Sequence, residues 1–161
     1  ILATSQRESN LERFFVAGIL HDIGRLIMFI NIPDLCREMI EVSRGEGRLL
    51  HEIERERMGF DHGDVGGVLL QRWKIPTRVA EPVEYHHRSM QAGQYPREAC
   101  ILHLADIISH ALEFGASGEA CVPTLDSRVW DRLALSPNLF PSLVREIDIQ
   151  FAETASILQG V

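Results

Sequence analysis

The residues best able to do chemistry begin with the pair His21-Asp22, which interrupts an apolar stretch: from Phe14 to Ile30 the charged side chains are Asp22 and Arg25. An ionised carboxylate in a segment that should be buried is costly unless it is paired or coordinates a metal. Downstream, His62, the pair His86-His87, and Asp106 stand in equally apolar surroundings. Imidazole with carboxylate is a donor set that suits iron, manganese, nickel or zinc better than calcium. His21, Asp22, His62, His86, His87 and Asp106 are therefore the candidate ligands of a metal centre.

Each residue also has a structural reading. Asp22 can pair with Arg25 three residues on, and His62 can be an ordinary helix-start histidine behind an Asp61 cap. His86 and His87 can end a helix, where a histidine meets the negative end of the dipole. Asp106 needs a named partner, which His103 or His110 could supply, and His51 reads as a surface residue or a support behind the ligands. Taken together, those readings require several buried polar groups to be compensated independently, whereas one shared metal satisfies them at once.

The elements that must position these groups read as helices throughout, an all-α chain. Asn10 is the expected N-cap of a helix running to His21, Gly24 permits a bend, and Arg25 to Ile30 continues it. Pro33 suits the first turn of a helix to about Val42, ending at Gly45-Glu46-Gly47. Further helices are expected over Arg48–Met58, His62–Trp73 with Asp61 as cap, Thr77–His87 and Pro96–Phe114. The Pro96–Phe114 helix is apolar enough to be central. Residues Arg88–Tyr95 and Gly115–Thr124 read as loops, and Leu125–Leu135 and Pro141–Leu158 as the last two helices. His62 shares a stripe with Val65, Gly66, Leu69 and Trp73, and Gly66 would let another backbone approach closely. His86 and His87 continue the row of Val79 and Val83, so at least one ring should point inward.

The 161 residues suit one domain with a real core, 45% hydrophobic and 24% charged. A net charge of −7 argues against a general phosphate-backbone binder. Cys36, Cys100 and Cys121 lack metal-knuckle or disulfide spacing and read as small buried residues in a reducing compartment. No membrane span is expected, because Asp22 and Arg25 break the longest apolar run, and the first ten residues do not read as a signal peptide. The expected setting is cytoplasmic.

The ordered set His21-Asp22 in ILHDIGRL, His62 in DHGDVGGVLLQRW, His86-His87, and Asp106 in ILHLADII resembles the HD superfamily of metal-dependent phosphohydrolases. Within it the chain is most similar to the HDOD group, the HD-related output domains of bacterial signalling proteins. FVAGILHDIGRLIM, DHGDVGGVLLQRWKIP followed by YHH, and SGEACVPTLD followed by a helix with Trp130 carry that resemblance over nearly the whole chain. It implies an HD-like helical bundle, and one or two divalent transition-metal ions. It also implies that Asp22 bridges two metals, with His21 and Asp106 on one and His62, His86 and His87 on the other. HD enzymes usually carry a further histidine on the preceding helix; residues 1–20 contain none, so that ligand and the N-terminal helices are expected upstream of a single domain spanning 1–161. In the related HD-GYP phosphodiesterases a lysine comes after HDIG and a DGxGYP motif after the paired histidines. Here Arg25 stands at the lysine position, and Gly93-Gln94-Tyr95-Pro96 stands where that motif would be.

Three functional classes are compatible with these residues. The favoured one is a signalling output module, acting on signalling proteins or fused sensor and output domains. The second is a phosphohydrolase for phosphomonoesters or cyclic nucleotides, with Asp22 and Arg25 catalytic and a small phosphorylated ligand. The third, a helix-turn-helix DNA binder over residues 62–87, is disfavoured by Glu81, Glu84 and the overall acidity, so no nucleic-acid partner is expected.

Overall fold

A computed structural model describes residues 1–114 and 121–159, and among these there is no β-strand. The helices are α1 (Leu2–Ser5), α2 (Glu12–Leu20), α3 (Ile23–Asn31), α4 (Pro33–Glu46), α5 (Leu50–Met58), α6 (His62–Arg72), α7 (Thr77–Glu84), α8 (Pro96–Ala111), α9 (Ser127–Leu133) and α10 (Phe140–Gln159). Single 3₁₀ turns occur at Ser89–Gln91 and Pro137–Leu139. The all-α expectation holds.

Local chemistry sets most boundaries. Pro33 occupies the first turn of α4, where its missing N–H costs nothing. Gly59 closes α5 with φ 82°, a left-handed conformation that a side chain would oppose. Asp61 then caps α6 through the Asp64 N–H while the Asp64 side chain takes the Asp61 N–H, a reciprocal capping box.

The buried groups form three clusters. Central α8 carries Cys100, Ile101, Leu104 and Ile108 into one cluster with Leu2, Val129, Leu133 and Leu143. Its Leu102 joins Ala17, Leu70, Val79 and Val83 in a second, and Met28, Cys36, Met39, Leu50 and Ile53 form the third between α3, α4 and α5. Polar groups of α8 lie between these apolar blocks: His103 and Asp106 are both buried.

Several boundaries depart from expectation. Asn10 is not a cap; it has φ 54°, and no side chain caps α2. The buried Arg13 explains this, because its guanidinium donates to the carbonyls of Ser9 and Asn10 and closes the turn that a cap would otherwise hold. α4 runs past Val42 to Glu46, since the left-handed residue is Gly47 at φ 64° and Gly45 stays helical. α7 ends at Glu84, so His86 and His87 lie beyond it. α6 ends at Arg72, leaving Trp73 exposed off the expected inward stripe, with Leu70 buried instead. Residues 115–120 of the expected loop, and with them Ser117–Ala120 of the SGEACVPTLD phrase, lie outside the described residues.

The run Glu12–Asn31 is long and apolar enough, by length and composition, to cross a membrane, contrary to the expectation that Asp22 and Arg25 disqualify it. In the fold it is two helices meeting at His21-Asp22, with Ala17, Gly24, Arg25 and Met28 buried.

Candidate metal centre

The site begins at a helix crossing. A Cβ on Gly24 would collide with the His62 carbonyl and lie 2.6 Å from the Gly66 amide nitrogen, so α3 and α6 meet backbone to backbone. The glycine at 66 foreshadowed that contact. It delivers Asp22, just before α3, onto His62 at the start of α6: His62 Nε2 is 3.2 Å from Asp22 Oδ1. The turn after α7 brings His86 Nε2 to 3.9 Å from the same oxygen and His87 Nε2 to 2.9 Å from His62 Nε2. On the other side His21 Nε2 lies 3.7 Å from Asp22 and 3.6 Å from Asp106 Oδ1. The six expected residues thus converge on one place. The donor atoms of His62, His86 and His87 all fall within 4.8 Å of one another.

Ring orientation is fixed from behind. A carbonyl or carboxylate oxygen only accepts, so a ring nitrogen facing one carries the hydrogen. His21 Nδ1 donates to the Gly18 carbonyl at 2.7 Å, His86 Nδ1 to the Val83 carbonyl at 2.6 Å, and His62 Nδ1 to Glu54 Oε2 at 2.7 Å. Each of the three therefore turns Nε2 toward the cluster. His86 Nε2 is fully buried and has no hydrogen-bond partner.

Charge is distributed by the same geometry. Burial works against a charged His62, yet the hydrogen bonds to Asp22 and Glu54 outweigh it and raise this ring to about 9. Arg25 opposes that charge with its guanidinium 3.3 Å from His62 Nε2, but two carboxylates flank the ring. Burial and then the neighbouring charges of His62 and His21 push His86 down to about 3. His87 is lowered by burial and by the charges of His86 and His62. Against the cost of burial, hydrogen bonding to His62 and the Arg25 charge hold Asp22 well below the usual carboxylate range. Asp106 is also lowered, because hydrogen bonds from His110 and His21 overcome its burial.

Two alternative readings of the sequence coexist here. Asp22 does pair with Arg25, Oδ2 to Nη1 at 3.1 Å, while its other oxygen faces the imidazoles. Of the two candidate partners for Asp106, His110 takes the role at 3.1 Å. His103 instead donates to the His86 carbonyl at 2.7 Å and steadies the turn that carries it.

Sequence reasoning missed Glu54, a buried carboxylate in a charged helix; the available signal was its place beside Leu50 and Ile53 on the inward face of α5. His51 stacks on His87 with ring centroids 3.9 Å apart and planes 12° from parallel, which makes it a support behind that ring. Arg88 reaches Asp64 at 2.5 Å and Asp61 at 3.8 Å, and Arg55 holds Asp61 at 2.6 Å and Asp64 at 2.7 Å. The Arg88 ties anchor the His86-His87 turn to the start of α6, and those of Arg55 anchor α5 to it.

The sequence model of the HDOD domain matches residues 1–89, more than half of the chain. The chain belongs to the HDOD family. The match takes in five of this HDOD domain's six convergent residues; Asp106 lies beyond it, on a narrower span than the motif resemblance covers. The domain is also similar to an uncharacterized protein of Treponema pallidum (strain Nichols), 23% identical over 80 residues, which is 50% of this chain and 16% of that relative. No solved structure matches the chain.

Proposed function

We propose that this HDOD-type domain is a signal-transduction output module that carries a divalent transition metal in its helical core. The observation that carries the reading is the fully buried, unpartnered Nε2 of His86, set among the donor nitrogens of His62 and His87. A buried lone pair without a donor is costly, and a cation satisfies it. His62, His86 and His87 with Asp22 would hold one ion, and His21 with Asp106 and the shared Asp22 would contribute to a second. The donor set fits iron, manganese, nickel or zinc. When bound, such an ion supplies Lewis-acid polarisation of a phosphoryl oxygen and stiffens the cluster.

The partners proposed are signalling proteins or fused sensor and output domains in the cytoplasm, with no nucleic acid. Elemental analysis of purified protein, then Mn²⁺ titration, tests the reading. Stoichiometric metal lost in Asp22→Ala supports it. Absence of metal, with no Mn²⁺ uptake by the wild type, removes it.

One observation favours a second reading, phosphohydrolysis. Arg25 holds a guanidinium next to Asp22, and the His21-Asp22 edge stays about a quarter to a third exposed (26% and 30%), so a phosphoryl group could approach there. In that reading Asp22 orients the ion and Arg25 neutralises phosphoryl charge. Turnover of a chromogenic phosphodiester by the Mn²⁺-loaded domain, abolished by Asp22→Ala, would establish it; no turnover leaves the module without catalysis.

A further inference from the structure

We propose that Glu54 is a positioning residue of the histidine cluster, fixing the His62 ring so that Nε2 faces Asp22 and thereby setting how tightly the cluster holds a cation. This rests on the metal reading above. Three imidazoles have their Nδ1 held from behind, but they are held differently. His21 and His86 donate to backbone carbonyls three residues earlier in their own chain segments. His62 alone of these three donates to a charged side chain, and that side chain comes from another helix, α5.

One oxygen does two tasks. Glu54 Oε2 accepts from His62 Nδ1 at 2.7 Å and from the His62 backbone N–H at 3.0 Å. Ring and main chain are thus referred to a single atom, which removes both χ freedom and the alternative ring flip. Glu54 is 1% exposed and shares its helix face with the core residues Leu50 and Ile53. A carboxylate so placed is expensive to bury, and nothing in the helix itself requires it. Carboxylate-to-imidazole pairs behind a ligand raise the basicity of the opposite nitrogen as well as aiming it, and losing one typically weakens metal binding by about 10–100-fold.

The competing explanation is that Glu54 merely caps α6 by taking the His62 N–H. Glu54→Gln separates the two, because the amide oxygen can still accept both hydrogens but carries no charge. In full-length chain with an unchanged helical spectrum, Glu54→Gln is expected to weaken Mn²⁺ binding by about 10–100-fold. In a His62→Ala background the same substitution should change affinity no further. Wild-type affinity in both Glu54→Gln, which loses the charge, and Glu54→Ala, which loses the hold on the ring, overturns the proposal. A metal-free crystal structure of Glu54→Ala gives an outcome that needs no ion: a His62 ring turned from Asp22 supports positioning, and a ring left in place overturns it. If wild type takes up no Mn²⁺, the metal reading fails by itself and the Glu54→Ala ring decides this one.

Discussion

His62 illustrates at the residue scale how one side chain answers several neighbours. Its ring is raised to about 9 against an ordinary 6.5, so the metal-free domain holds a proton there at neutral pH. A cation on Nε2 must displace that proton, and uptake of Mn²⁺ at pH 7 is expected to release close to one. Calorimetry in buffers of different ionisation enthalpy measures it; uptake with no proton release contradicts the charged ring. The sign for stability comes from linkage. A raised pKa contributes stability that is fully present below 6.5 and is lost as pH climbs through 9. His86, lowered to about 3, works in the other direction: stability falls as pH drops from 6.5 toward 3. Thermal melts of chelator-treated domain should therefore peak near neutrality. His62→Gln should flatten the alkaline limb while leaving an acid limb, and an unchanged alkaline limb would refute the assignment.

Elements hold these residues through close contacts that tolerate little. Gly24 faces the backbone of α6, whereas a Cβ on Gly18 in α2 would meet nothing within 4 Å. Gly24→Ala is thus expected to destabilise the domain by at least the 1–3 kcal/mol (roughly) typical of overpacking, and Gly18→Ala, at an open helical position, not to destabilise it. Denaturant midpoints compare the two directly, and equal midpoints would show that α3 can slide. Much of this arrangement was legible in sequence because it is local. Gly59, Asp61, His62 and Gly66 fall within eight residues and announce a turn, a cap, a donor and a close crossing. What was not legible depended on partners far along the chain. Glu54 looks like one charge among many on α5 until α6 folds over it, and the start of α2 is set by Arg13 rather than by the Asn10 cap that a short window suggests. Extending the helical period one residue past the true end of α6 points Trp73 inward, whereas the structure leaves it exposed.

The whole molecule is unevenly covered. Leu11, Phe15, Val16, Ile19, Leu26, Phe29 and Ile30 are all exposed on α2 and α3 and the residue before them, with Phe15 at 71% and Ile30 at 66%. Contiguous apolar surface beyond a few hundred Å² marks an interaction site or an association hazard. The isolated 161-residue chain is accordingly expected to self-associate, with the double substitution Phe15→Glu, Ile19→Glu restoring a monomer in light scattering. A monodisperse wild-type monomer would remove that expectation. The C-terminal helix also carries outward apolar groups. Ile149 and Phe151 are exposed, Phe151 stacks on Phe114, Val144 and Ile147 are half-buried, and Ile157 lies outside the described side chains.

The meeting of main chain with main chain at Gly24 and Gly66 bears on which ions the pocket would accept. No compressible side chain separates those two stretches of backbone, so the gap between the roots of Asp22 and His62 behaves as a rigid gauge. Adjustment to ionic radius would then fall chiefly to His87, whose buried Nδ1 has no hydrogen-bond partner holding its ring from behind. Selectivity among ions of similar ligand preference would be written chiefly in that one ring.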